Sequence, residues 1–301
     1  MIKIAWHPIY AHPLPEGHRF PMLKYELIPE QLLHEGTIEA ANLFAPERAV
    51  EDIILLSHEK LYWEQLRDLT LPDKEQRRIG FPLTAQLVER ELRITQGTID
   101  GTRYAMEFGV AFNAAGGTHH SGSNWGEGFC LLNDQAIASN YLLNNDLAKS
   151  ILIIDLDVHQ GNGTAQIFEN EPRVFTFSMH GEKNFPFRKE RSDLDLPLED
   201  GVQDDEYLSL LAKSLNEVFE STQPDFVFYL AGVDVLSTDK LGKLSLSKAG
   251  CKERDRMVLQ ACKDKALPLQ ISMGGGYSAD IKDIVDAHCN TYRLAFDLFT
   301  V

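Results

Sequence analysis

The segment Ser150–Leu156, SILIIDL, is apolar at almost every position, so as a strand it has no polar face to turn to water. Such a strand must be covered on both sides, which a helix-flanked parallel sheet provides and a half-solvated antiparallel sheet does not. Arg173–Ser178 (RVFTFS), Pro224–Leu230 (PDFVFYL) and Leu267–Ser272 (LPLQIS) share this character. Ile2–Trp6 is a shorter candidate strand, and Val50–Leu56 and Val110–Asn113 are weaker ones. Between these runs, Thr98–Phe108, Asp134–Leu143, Asp205–Phe219 and Lys252–Lys265 carry helical periodicity. The expectation is an α/β chain built on a central, mostly parallel sheet flanked by helices. No repeat, low-complexity tract or Gly/Ser/Pro-rich linker interrupts it, so residues 1–301 read as a single domain.

Charge narrows the partners. Lys and Arg number 29 against 45 Asp and Glu, a net charge of −16, and no basic patch suited to a phosphate backbone is visible. Nucleic acid is therefore not expected, whereas a cationic substrate or a basic protein tail could be steered by the negative field. No window is long and apolar enough for a membrane span and no export leader opens the chain, so the expected location is the cytoplasm. Cys130, Cys251, Cys262 and Cys289 are far apart and form no CxxC pair, which suggests reduced thiols rather than a disulfide framework or a thiolate metal site. Oligomeric state is left open.

In parallel α/β sheets, ligands bind just beyond the carboxyl ends of the strands. SILIIDL runs into Asp155-Leu-Asp157-Val-His159-Gln-Gly161-Asn162-Gly163, PDFVFYL into Ala231-Gly232-Val233-Asp234, and LPLQIS into Met273-Gly274-Gly275-Gly276-Tyr277. The Val110–Asn113 run leads to Gly116-Gly117-Thr118-His119-His120. Asp157 and His159 are two apart on an extended segment and so face the same way. With Asp234 they make a set of two carboxylates and one imidazole, which leaves a coordination position open as catalytic zinc requires. Alone, a DxH is as readily a solvated turn; beside Asp234, the histidine pair and the Gly-Gly-Gly-Tyr segment it points to a catalytic metal. His119 and His120 are suited to proton transfer near neutrality, with Asp155 and Asn162 as orienting partners. If His119 pairs with Asp155 and His120 with Asn162, His120 is the neutral general base.

The ordered motifs GGTHH, EGFCLLND, DLDVHQGNG, FTFSMH, AGVD and MGGGY resemble those of the zinc-dependent histone deacetylase superfamily, in the form of its bacterial members and its class IV, deacetylase-11-like branch. The likeness extends from His12–Tyr25 through Arg78–Pro82 to the GGGYS near the C-terminus. It implies an arginase/deacetylase fold with a sheet of about eight strands. It makes Asp157, His159 and Asp234 zinc ligands, His119 and His120 the catalytic histidines, and Tyr277 the transition-state hydroxyl. A monovalent cation, K+ or Na+, would sit on Asp155, Asp157, His159, Ser178 and the backbone of Met179. Gly128, Phe129, Phe187 and Gly275 would contact an acyl-lysine in its tunnel, and Arg19 would line an inner cavity through which acetate leaves. The implied activity is removal of acetyl or longer acyl groups from lysine in proteins or peptides.

Other readings compete. An arginase-like dimanganese site needs an Asp two residues after the metal histidine, where this chain has Gly161. An acetylpolyamine amidohydrolase would use the same chemistry on a small cation. A catalytically silent acyl-lysine binder would have lost a ligand or Tyr277, and every such position is filled. The acidic loop residue with which many eukaryotic relatives hold the substrate backbone has no clear counterpart in RIGFPLTAQLVERE.

Overall fold

A computed structural model of the chain describes residues 1–300. Its strands are β1 (Lys3–Ala5), β2 (Leu43–Phe44), β3 (Val110–Asn113), β4 (Ile151–Asp155), β5 (Val174–Gly181), β6 (Leu194–Leu198), β7 (Phe226–Leu230) and β8 (Leu269–Ser272). The helices are α1 (Lys24–His34), α2 (Glu51–Ile54), α3 (Lys60–Arg67), α4 (Asp73–Ile79), α5 (Ala85–Phe108), α6 (Asp134–Asn144), α7 (Asn162–Phe168), α8 (Asp204–Thr222), α9 (Lys248–Asp264) and α10 (Ile281–Phe299). All strands run parallel in one eight-stranded sheet of order β2-β1-β3-β8-β7-β4-β5-β6.

Every residue of β3, β4, β7 and β8 is buried, as strands covered on both faces must be. These four are contiguous in the sheet, and the segments after them carry the polar motifs. The connections that bring the chain back are capped locally. Thr84 accepts from the Leu87 amide at the start of α5, and Gly109, at φ +86°, ends it. Asn133 accepts from the Ala136 amide at the start of α6, and Ser247 from the Gly250 amide at the start of α9.

The Val50–Leu56 run is not a strand. Val50 is exposed and extended, and Glu51–Ile54 forms a helical turn with its acidic residues at the N-terminal end, where the helix dipole favours them. The edge strands β2 and β6 escape the sequence reading because one is two residues long and the other, LDLPL, is broken by an aspartate and a proline and is only partly buried. Among the described residues no helix is long and apolar enough to cross a membrane.

Candidate active site

The carboxyl ends of β3, β4, β7 and β8 meet around one narrow pit. After β4 the chain places Asp157 and His159, and after β7 it places Asp234, all three buried. His159 Nδ1 lies 3.0 Å from Asp157 Oδ1 and 3.1 Å from Asp234 Oδ2. One potential ligand atom from each residue falls within 4.8 Å of the others. Two buried carboxylates around a single imidazole are short of positive charge. Burial, reinforced by the Asp157 carboxylate, pushes Asp234 up to about 7 even against the pull of His159. The donor set and its charge deficit fit a divalent cation, with Nδ1 of His159 the nitrogen turned toward both carboxylates.

Neighbouring backbone fixes these ligands. The Gly275 amide donates to Asp157 Oδ2 at 2.7 Å, and the Val158 amide to Asp234 Oδ1 at 2.9 Å. A Cβ on Gly275 would stand 2.0 Å from Asp234 Oδ2, so only glycine allows this approach. Behind them Arg254, fully buried on α9, reaches two carbonyls with one Nη1, Leu156 at 3.1 Å and Gly232 at 2.6 Å. Its other face is paired with Asp255, which also accepts from Tyr229 and Thr291.

The histidine pair hangs on Asp134 at the start of α6. Asp134 Oδ1 accepts from the amides of Gly117 and Thr118, both at 2.9 Å, and Oδ2 accepts from Thr98 and Ser272. His119 Nδ1 donates to Asp155 Oδ2 and His120 Nδ1 to Asn162 Oδ1, both at 2.7 Å, as the sequence reading pairs them. Burial disfavours charge on both rings. At His119 the Asp155 and Asp157 carboxylates outweigh burial and hold the imidazolium above its ordinary range. At His120 burial and the neighbouring His119 and His159 drive the pKa well below it. Asn162 in turn donates from Nδ2 to Glu127 Oε1 at 2.6 Å, and Glu127 bridges to Arg78 at 2.7 Å. Glu127 and Asp134 escape the sequence reading, although both lie in its EGFCLLND motif, because their roles arise only when α6 and α7 pack beside the histidines.

Tyr277 leans over the pit, its ring 6.4 Å from that of His159, with its amide held by Asp239 at 2.6 Å. Burial and then the Asp234 and Asp157 carboxylates raise its phenol well above the usual value, so it stays protonated and able to donate. Asp155, Ser178 and Met179, assigned to a monovalent cation by resemblance, are all buried beneath the Asp157–His159 turn. Ser178 Oγ stands 2.9 Å from His180 Nδ1.

Two tunnel assignments need correction. Phe187 is 91% exposed at the rim, and the NFPF residue that packs on the catalytic side is Phe185, edge-on to His120 at 5.0 Å. Gly128 fits between them, since a Cβ there would meet both rings. Phe129 lies across the channel, 6.0 Å from the Tyr277 ring. Arg19 is not internal: it is exposed at the outer mouth with its guanidinium 5.0 Å from the Phe129 ring centre. The inner end, a cavity of about 40 Å³, is met by Arg90 instead, buried with Glu91 as its ion pair. The outer mouth widens to about 360 Å³ and is lined by Arg19, Arg78, Lys183, Lys243, Phe185 and Phe187 among others.

Comparison with known proteins agrees with this arrangement. The sequence profile of the histone deacetylase domain matches residues 18–292. An uncharacterized protein of Picosynechococcus sp. is 46% identical over 296 residues, covering 98% of this chain and 99% of the relative. Histone deacetylase 2 of Arabidopsis thaliana is 29% identical over 86% of this chain and 70% of its own length. For human histone deacetylase 1 the figures are 28%, 95% and 62%. Among solved structures, a histone deacetylase homologue complexed with SAHA superposes with a TM-score of 0.83 at 26% identity, covering 98% of this chain and 84% of that one. A homologue from Aquifex aeolicus gives 0.82 at the same identity and the same coverage of both chains. The eight-stranded parallel sheet is thus the arginase/deacetylase fold, and the chain belongs to the histone deacetylase family.

Proposed function

We propose that this chain is a zinc-dependent lysine deacylase, a hydrolase that cleaves the amide of an acyl-lysine in a protein or peptide, with acetyl as the first acyl group to test. The observation that carries the reading is the convergence of an Asp157–His159–Asp234 ligand set, two differently partnered histidines and Tyr277 at the bottom of one aromatic channel. Asp157, His159 and Asp234 would hold Zn2+, which when bound supplies an acidified water and polarises the amide carbonyl. Asp155, Ser178 and the Met179 backbone, with Asp157 and His159, would hold K+ or Na+. Four buried, unpaired cysteines fit a reducing compartment, which we take to be the cytoplasm, and residues 1–301 act as one catalytic domain.

The remaining chemistry belongs to side chains. His120 has its Nδ1 proton committed to Asn162, so its Nε2 carries the lone pair that accepts a proton from the attacking water. Tyr277 donates to the oxygen that becomes negative as the carbonyl carbon turns tetrahedral. His119, held as imidazolium by Asp155, gives its proton to the departing lysine nitrogen as the C–N bond breaks. The products are a free lysine amine and a carboxylate. Phe129 and Phe185 flank the lysine methylenes and exclude water from them.

The test is turnover of acyl-lysine peptides from acetyl to myristoyl, beside acetylated polyamines, by zinc-loaded wild type and Asp157→Ala. Cleavage by wild type alone supports the reading. Cleavage of polyamines only moves the substrate to a small cation, and zinc binding without any turnover leaves a binding module.

A further inference from the structure

The cavity at the channel mouth is lined by Arg19, Arg78, Lys183 and Lys243 and by no aspartate or glutamate, in a chain whose net charge is −16. Acidic residues outnumber basic ones 45 to 29 along the sequence, so a lining of cations alone runs against the composition. These side chains come from separate places: the turn before α1, the end of α4, the loop after β5 and the loop between β7 and α9. Arg78 is bridged to Glu127 at 2.7 Å, and Lys183 stands 3.3 Å from Glu199 with both groups more than half exposed. Among the described residues Arg19 and Lys243 have no carboxylate partner, and both are exposed. A neighbouring groove that shares Arg78, Phe185 and Phe187 with the mouth carries Glu75, Glu127 and Glu190 in its own lining.

We infer that the substrate is an acyl-lysine set among acidic residues, with carboxylates outside the channel facing Arg19 and Lys243 while the acyl-lysine side chain enters between Phe129 and Phe185. This rests on the deacylase reading above and specifies its substrate class. It reverses the expectation, drawn from overall charge, of a cationic substrate: local potential at the entrance, and not the sum over the surface, decides what approaches it. A basic tail or a polyamine would place its ammonium groups against guanidinium and ammonium at the rim. Because the rim charges touch no reacting atom, they act on capture of the substrate and leave the chemical step to the residues below.

The experiment uses the zinc-loaded full chain and acetyl-lysine peptides of equal length flanked by Glu, by Gln or by Lys, together with free ε-N-acetyl-lysine and an acetylated polyamine. The Glu-flanked peptide is expected to exceed the Lys-flanked one by about tenfold in kcat/KM at low ionic strength, chiefly through KM, and the ratio shrinks as salt shortens the Debye length. Arg19→Glu with Lys243→Glu, both exposed, should reverse the order. Equal cleavage of all three peptides, a preference for the Lys-flanked one, or a ratio insensitive to salt overturns the inference and leaves the deacylase reading standing. Salt-sensitive turnover of free acetyl-lysine without turnover of the Glu-flanked peptide overturns the acidic peptide in favour of a small anionic amide. No cleavage of any acyl-lysine overturns both.

Discussion

Asn162 donates its Nδ2 proton to Glu127 Oε1 at 2.6 Å, and that bond decides which end of the Asn162 amide faces His120. A carboxylate can only accept, so the Asn162 oxygen must turn to the ring, and His120 must offer it N–H from Nδ1. The proton-accepting lone pair is thereby fixed on Nε2, toward the pit. Glu127 thus acts on the base at one remove, as a positioning residue.

Replacing it tests this. Glu127→Gln frees the Asn162 amide to flip and should lower kcat by roughly tenfold to a hundredfold with KM little changed, within the range of general-base catalysis. Arg78→Gln, which removes the Arg78 bridge but keeps the Asn162 lock, is the control. Equal losses in the two variants, or a change confined to KM, would assign Glu127 to the channel wall instead.

Tyr277→Phe removes one hydroxyl and no ring. With the aromatic packing against Phe129 and Phe20 kept, KM should hold while kcat falls by about a hundredfold to a thousandfold, the cost of a lost oxyanion donor. Pre-steady-state kinetics would show the loss in the chemical step, and a drop in substrate affinity alone would contradict the assignment.

Gly275→Ala places a methyl group 2.0 Å from Asp234 Oδ2 and 2.8 Å from Asp157 Oδ2. Both carboxylates must shift, so zinc affinity should fall at least tenfold, while overpacking costs the fold only about 1–3 kcal/mol. Competition against a fluorescent zinc chelator, alongside urea unfolding of the metal-free protein, separates the two effects. Unchanged affinity would mean that the ligands lie elsewhere.

Acid should destabilise the fold through His58. Its Nε2 accepts the Asn133 amide at 2.9 Å, and burial lowers its pKa to about 4. Between that value and its ordinary range the unfolded chain binds a proton that the folded chain does not, so stability is complete above about pH 6.5 and lost as pH falls toward 4. The loss by pH 5 is about 2 kcal/mol. His58→Gln keeps an acceptor without a titration, and urea midpoints at pH 7 and pH 5 should draw closer in that variant. An unaltered pH dependence would place the acid sensitivity in other groups.

What the sequence discloses follows from what is local. Strands β4, β5, β7 and β8 are legible because burial on both faces forces apolar residues into consecutive positions. The residues that converge on the pit, Asp157, His159, Asp234, His119, His120 and Tyr277, are reachable from the sequence because each lies just beyond such a strand or in a glycine-marked turn. Residues whose work depends on a neighbour brought in from afar are silent: Glu127 needs Asn162, Asp134 needs the Gly117 turn, and Arg90 needs Tyr10, whose carbonyl it holds at 2.8 Å. The exchange of Phe187 for Phe185 has the same origin, since NFPF gives two aromatics and only the folded loop chooses which one turns inward.

Arg254 spans the backbone after β4 and the backbone after β7 from a helix that supplies nothing else to the pit. The two halves of the ligand set are therefore held in register by an internal guanidinium strut, independent of anything that later sits between them. A site assembled this way behaves as a rigid socket and not as a drawstring. Withdrawing and restoring a bound ion is accordingly expected to leave the surrounding frame in place, because the Arg254 contacts to the Leu156 and Gly232 carbonyls do not depend on it.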